Sequence, residues 1–397
     1  EGPLVVYHAD PFQFEFGLRI RAVDLLFEKG LREQRLAPAY YGELPVLFRT
    51  HQRFDLPFDL FAAIFYLVSR YEEYLPHVAD AHERYDPTGS LLAEEGWLEW
   101  PLVDHYALLL AFELQKRWPN LPAPARSYTF VPTVDVDQLY AYREKGVIRS
   151  LHGLWKHLQQ ADWEGFRQHW QVLRGTSPDP FDSFEQLRQW HLPYGKRAIY
   201  FFLMGDYGGP DNAHSPYREV FRELVKGTAD HFSVGLHPSY RSNGQSNLID
   251  QERQLLEDML NRPVLYTRQH FLKLRLPGTY QQLVKRDFEA DFSMAYAAWP
   301  GFRSGTASPH YFYDLDQESP TPLQVYPTCV MDVSLQQYLR LSPEAAKARI
   351  TTLVERVKAV DGTFVSLWHN SSLSEQGPWQ GWRAVYMHLL TLAADGK

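Results

Sequence analysis

Two carboxylates, Asp135 and Asp137, end the stretch Ser127-Tyr128-Thr129-Phe130-Val131-Pro132-Thr133-Val134-Asp135-Val136-Asp137. The stretch reads as a buried strand, and residues at i and i+2 of a strand point to the same face. Two adjacent carboxylates repel, so a pair held at a strand end suits a task for the charge. One can hold a metal ion while the other takes a proton from water. An Asp-rich loop that ends a strand in solvent has the same spacing, so the pair alone does not decide. Other strand ends repeat the pattern. Asp206, His237, Arg268 with His270, Asp291 followed by Arg303, Asp332 and His369 each stand at or just after a further candidate strand. In a β/α barrel such ends converge on one face, where active sites form.

The strands that must position these residues are seven: Tyr128–Val134, Ala198–Met204, Phe232–Leu236, Val264–Thr267, Phe288–Phe292, Leu323–Met331 and Thr363–Trp368. Helical stretches lie between them, among them Pro216–Lys226, Leu248–Leu260, Pro343–Val360 and Trp379–Leu392. This alternation predicts an α/β fold with a parallel sheet or barrel over residues 126–397. Residues 143–190 form a long, helix-rich crossover, rich in Trp, His and Gln, suited to a flap or side wall. Residues 1–125 read as a smaller α/β domain of unassigned role. Short strands are expected at Leu4–Tyr7 and Gly42–Phe48, and helices at Pro57–Val68 and Val103–Lys116. The first helix is apolar almost all round and so should be buried. The charged run after it, Ser69–Tyr74, reads as a solvated helix end. Pro119, Pro122 and Pro124 mark a linker.

A net charge of −8 over 397 residues argues against a broad nucleic-acid-binding face. The 45% apolar and 22% charged content is that of an ordinary globular chain. One cysteine, Cys329, excludes an intramolecular disulfide, and its apolar neighbours predict a buried thiol. No run of about 18 apolar residues predicts a transmembrane helix. A cytoplasmic location is the expectation, although a leader removed before position 1 would leave the same sequence.

From Tyr128 onward the chain resembles the polysaccharide deacetylases, the NodB-homology carbohydrate esterases. Thr133-Val134-Asp135-Val136-Asp137 is similar to that family's Asp-x-Asp motif. Val234-Gly235-Leu236-His237 matches the opening of the second motif, and Arg268 the start of the third. Asp291-Phe292-Ser293 lies where the fourth is expected, and Leu367-Trp368-His369 matches the Leu-x-His of the fifth. The whole resembles a divergent bacterial group with an added N-terminal domain. The resemblance implies a distorted (β/α)7-type barrel and a metal-dependent hydrolase that removes N- or O-acetyl groups from a sugar or sugar conjugate. It also implies Asp137 and His237 as ligands to a divalent metal, Asp135 as base with Arg268 beside it, and His369 as acid with Asp291 as its partner. Two departures stand out. The second motif's second His is absent, with Arg241 in its usual place, and His270 replaces the proline of the third motif's Arg-x-Pro. His270 is therefore the candidate relocated third ligand. Asp with two His suits Zn²⁺, with Co²⁺, Ni²⁺ or Fe²⁺ as alternatives. Asp206, Tyr240 and Arg303 are the candidate substrate contacts. Asp206 would equally serve as a turn cap, and Arg303 as the partner of an N-terminal carboxylate. Two other functions fit the same residues. One is an amidohydrolase acting on a non-sugar C–N bond. The other is a non-catalytic member without a metal, binding carbohydrate or a partner.

Overall fold

The structure, a computed structural model, describes every residue except 1, 15, 206, 212 and 395–397. The N-terminal unit is built around helix α1 (Leu60–Val68). Asp59 caps it, accepting from Ala62 N at 3.0 Å, and the same carboxylate takes Val23 N and Tyr7 Oη. One side chain thus satisfies a helix end and fastens the strand holding Tyr7 and the loop holding Val23 to it. Strands β1 (Val5–His8) and β2 (Leu18–Arg21) pair in parallel, and β3 (Ala39–Tyr41) with β4 (Leu44–Val46) forms a hairpin. Only the second arm of that hairpin falls in the strand expected over Gly42–Phe48. A short α2 (Leu91–Glu94) and the long α3 (Leu102–Arg117) complete the unit.

Nine further strands form one sheet: β5 (Thr129–Val136), β6 (Ile199–Leu203), β7 (Ser233–His237), β8 (Tyr266–Thr267), β9 (Ala290–Asp291), β10 (His310–Asp314), β11 (Ser319–Val325), β12 (Val330–Met331) and β13 (Thr363–His369). Their order is β10-β11-β9-β8-β7-β6-β5-β13-β12, and every pairing but β10–β11 is parallel. The strand expected over Leu323–Met331 is two. Pro327 has no N–H for a ladder, so pairing breaks there. The chain leaves β9 after Tyr326 N donates to Asp291 O, and joins β13 where Cys329 N donates to Val365 O. This single segment therefore touches both ends of the parallel sheet and closes it into a distorted barrel with seven strand positions. The antiparallel β10 was not expected from the sequence.

Alternation along β5 separates two cores. Phe130, Val134 and Val136 face outward into the layer shared with the helices. Val131 joins Ile199, Phe201, Phe292 and Val365 in a plug inside the barrel. Thr133 and Asp135 continue the inward face above that plug. The covering helices are α7 (Glu219–His231), α8 (Asn247–Leu260), α9 (Gly278–Val284), α10 (Pro343–Lys358) and α11 (Trp382–Ala393), and the crossover holds α4 (Val147–Gln159), α5 (Trp163–Leu173) and α6 (Phe184–His191).

The run after α1 is not a solvated end. Arg70, Glu72 and Glu73 are buried between the two units. Arg70 Nε donates to Glu73 Oε1 (2.8 Å), and Arg303 of the barrel donates to both Glu73 oxygens (2.8 and 2.6 Å). Arg70 Nη2 also donates to Glu72 Oε1 (2.7 Å), so two guanidiniums face two carboxylates and the buried cluster is balanced, which is why apolar burial does not expel it. Arg303 is thus committed to the interface and is not a substrate contact. Gly301 makes the approach feasible: its φ is +130°, and a Cβ there would lie 2.5 Å from Leu98 O.

Burial raises the Glu73 carboxyl, but Arg303 and Arg70 outweigh it and hold it at about 2. A folded-state value below the unfolded one contributes stability above about pH 4.5 that is lost as pH falls towards 2. Glu73→Ala is expected to cost about 3 kcal/mol, because two buried guanidiniums lose their partner. Glu73→Gln should also flatten the acid side of the stability–pH curve. Urea denaturation from pH 7 down to pH 3 reads both effects; an unchanged midpoint in Glu73→Ala would contradict them.

Candidate metal centre

β5 delivers Asp135 inward and Asp137 just beyond its end, as the i, i+2 spacing requires. β7, two places along the sheet, ends at His237. His237 Nε2 stands 3.3 Å from Asp137 Oδ1 and 3.7 Å from Asp135 Oδ2. β8 lies beside β7, with Thr267 opposite Leu236, and the turn after it brings in His270. Its Nε2 is 3.8 Å from Asp137 Oδ2, and its ring centre is 4.9 Å from that of His237. From β13, His369 places Nε2 3.7 Å from the same Oδ2. Arg241, in the position where a second-motif His was sought, is exposed.

Each imidazole is tethered through Nδ1. His237 donates to Arg268 O, His270 to Asp211 Oδ1 (2.7 Å) and His369 to Asp332 Oδ1 (2.8 Å). Such tethers fix ring orientation and leave Nε2 facing inward. All three Nε2 atoms therefore converge on Asp137. Potential ligand atoms of Asp137, His237 and His270 lie within 4.8 Å of one another. Asp137 Oδ1 is shielded from solvent and makes no hydrogen bond with a described residue, despite the nearness of His237. A carboxylate oxygen and an imidazole lone pair facing each other repel unless a proton or a cation lies between. Two imidazoles and one carboxylate are a donor set for a divalent transition metal, so the residues fit such an ion.

The electrostatics agree. Burial opposes the charge on Asp137, but His270, His237 and His369 hold it well below the usual carboxylate range. Burial disfavours the His270 cation, yet Asp137 and Asp211 raise it to about 9. Burial likewise opposes the His369 cation, and Asp332, Asp137 and Asp135 raise it to about 10. Asp135 accepts from Arg268 Nη1 at 2.8 Å, which leaves its other oxygen towards the cleft. The cleft holds about 220 Å³ and has an apolar wall of Leu272, Ala297, Met331 and Leu367.

Several expected roles change. Asp291 is not the partner of His369: it is fully buried and accepts from Tyr280 Oη, Ser293 N and Ser293 Oγ, and burial pushes it up to about 6. Asp332 takes its place, because β12 and not β9 lies beside β13. Tyr240 does not line the cleft; its N–H reaches Asp211 (2.9 Å) and its hydroxyl lies 3.2 Å from His82 Nδ1. Asp206 lies outside the described residues. Asp211, in the Gly208-Gly209-Pro210 turn, was missed, and its only sequence signal is a carboxylate after a glycine-rich turn.

Arg84 of the N-terminal unit was missed too. Phe271 and Leu272 have φ of 61° and 50°, a left-handed conformation that L-residues rarely adopt. This turn swings His270 inward. Arg84, fixed by Asp80, donates to Phe271 O at 2.7 Å and braces it.

Residues 1–119 match the model of a family of unknown function, DUF7033. No curated protein matches the chain. Among solved structures, the chain is similar to a provisionally assigned polysaccharide deacetylase from Mycobacterium smegmatis, at 11% identity and a TM-score of 0.43, over 68% of this chain and 87% of that one. The polysaccharide deacetylase Bc1974 from Bacillus cereus matches at 14% identity and a TM-score of 0.32, over 66% and 86%. BA3943 from Bacillus anthracis, a CE4 family pseudoenzyme, matches at 9% and 0.32, over 66% and 60%. Likeness at this level assigns no activity to the chain. Among the described residues, no helix is long and apolar enough to cross a membrane.

Loss of either brace should loosen the centre. Asp211→Ala and Arg84→Ala are each expected to weaken Zn²⁺ binding about 10-fold. Calorimetric titration beside the parent protein checks this. Parental affinity in both variants would mean that His270 needs no support.

Proposed function

We propose that the chain is a metal-dependent hydrolase that removes acetyl groups from an N- or O-acetylated sugar or sugar conjugate. The observation that carries this reading is the convergence of three Nδ1-tethered imidazoles on Asp137, with Asp135 on Arg268 and His369 on Asp332 alongside. Asp137, His237 and His270 would hold the ion, most simply Zn²⁺. When bound, it lowers the pKa of water and polarises the acetyl carbonyl.

The chain's own groups do the rest. Asp135 takes a proton from the attacking water through the oxygen that Arg268 leaves free. Arg268 fixes that carboxylate in direction. His369, cationic beside Asp332, gives a proton from Nε2 to the leaving nitrogen or oxygen as its bond to the acetyl carbon breaks. Acetate and the free amine or hydroxyl leave. The apolar wall of Leu272, Ala297, Met331 and Leu367 suits the acetyl methyl and thins out competing water.

Two substitutions separate binding from proton transfer. His270→Ala should lower Zn²⁺ affinity at least about 10-fold, and turnover with it. His369→Ala should keep the metal and lose on the order of 10²-fold or more in rate. Metal content and acetate release from N-acetylated chito-oligosaccharides are the measurements. A parent protein that binds no divalent metal would leave the non-catalytic reading; metal without acetate release would favour another C–N bond.

A further inference from the structure

The crossover opens with a helical hairpin, α4 and α5, that wears its apolar side outward. At about 3.6 residues per turn, Val147, Ile148, Leu151, Trp155 and Leu158 share one arc of α4 with Leu154, and only Leu154 is buried. Ile148 is 85% exposed and Trp155 54%. The polar side of α4 is the packed one. A Cβ on Gly153 would lie 2.7 Å from the His169 ring, and one on Gly165 would lie 2.6 Å from His157. These contacts pair 153 with 169 and 157 with 165, so the helices run antiparallel. That register turns Trp163 (69% exposed) and Trp170 to the same side as the α4 arc. A globular helix normally buries this face, and a contiguous patch of this kind marks an interaction surface.

Charge identifies the occupant. Residues 143–174 carry six Lys or Arg and three Asp or Glu, in a chain whose net charge is −8. The α4 sequence has no acidic residue. Lys156, Arg167 and Arg174 make no ion pair with a described residue, and Arg174 instead lies over the Trp170 ring, 4.7 Å from its centroid. A second copy of the chain would set these cations against each other. Three tryptophans, exposed aliphatic residues and local positive charge suit the headgroup region of an anionic bilayer. We infer that the α4–α5 hairpin docks the protein on an anionic lipid surface. The hairpin follows β5 in the chain, ten residues beyond Asp137.

Sedimentation of the full chain with vesicles tests this, and needs neither metal nor turnover. Vesicles of phosphatidylcholine alone are compared with vesicles containing phosphatidylglycerol. The expected result is binding to the second kind only, weakened by salt. It should fall at least about tenfold in the Ile148→Ser/Trp155→Ser double variant, the scale of removing two buried apolar side chains, and also in Arg167→Glu/Arg174→Glu. Circular dichroism melting verifies that the variants stay folded. Absence of vesicle binding, equal binding to both vesicles, or parental binding by the apolar variant would overturn the inference. So would sedimentation velocity showing a dimer that only the apolar variant dissociates, since the face would then be a contact between copies.

Discussion

The buried guanidinium of Arg268 is the interaction on which the site depends. It is fully shielded from solvent and donates to Asp135, Thr133 Oγ1, Phe292 O and Thr328 Oγ1. Its flat face lies over Phe201, 4.6 Å from the ring centre, on top of the apolar plug. Burying a cation costs several kcal/mol unless it is paired and its hydrogen bonds are met. A lysine could not span these acceptors from one planar group. Main chain and side chain act together, because Arg268 O also accepts the His237 Nδ1 proton. One residue thus aims the Asp135 carboxylate and fixes the orientation of a candidate ligand. Thr328, another of its partners, lies in the segment that closes the barrel, so closure and site geometry are coupled.

Charge balance explains why the histidines behave as they do. Asp135, Asp137, Asp211 and Asp332 surround the three imidazoles, and among the described residues Arg268 is the cation in contact with them. With neutral imidazoles the cluster has an excess of negative charge. Protons on His270 and His369 reduce that excess, which is why both cations are favoured despite burial. A divalent ion would reduce it in the same way. The raised histidines and the suitability for a metal are therefore two expressions of one electrostatic deficit.

The parts of the site legible in the sequence were those governed by local periodicity. Asp135 and Asp137 share a face because strands alternate, and His237, His270 and His369 stand at strand ends. Partner choice was not legible, because it depends on which strands are neighbours. Asp291 and Asp332 look alike as strand-end acids, yet β12 borders β13 while Asp291 faces Tyr280 across the barrel wall. Glu73 and Arg303 are separated by 230 positions, and a charged run after a helix gives no local sign that it will be buried. The turn at Phe271 was hidden for another reason: nothing about Phe or Leu announces a left-handed backbone. The break at Pro327 carried a local signal, since proline cannot extend a ladder, yet the strand expected over Leu323–Met331 ran straight through it.

The same contacts argue that the N-terminal unit is part of the barrel's architecture. Without residues 1–125, Arg303 would lose Glu73, its carboxylate partner, and be left beside Tyr296. Thr306 and Ala307 would lose Asp104, which receives both of their hydrogen bonds. The strained turn at Phe271 would lose Arg84, and strain of about 1–3 kcal/mol per residue persists only where surrounding structure over-determines it. The first two losses act on the loop between β9 and β10, and the third acts on His270 directly. The N-terminal unit therefore reaches the candidate metal centre through the Arg84 guanidinium and the His82 ring, both set against Phe271, and what it contributes there is rigidity behind a candidate ligand.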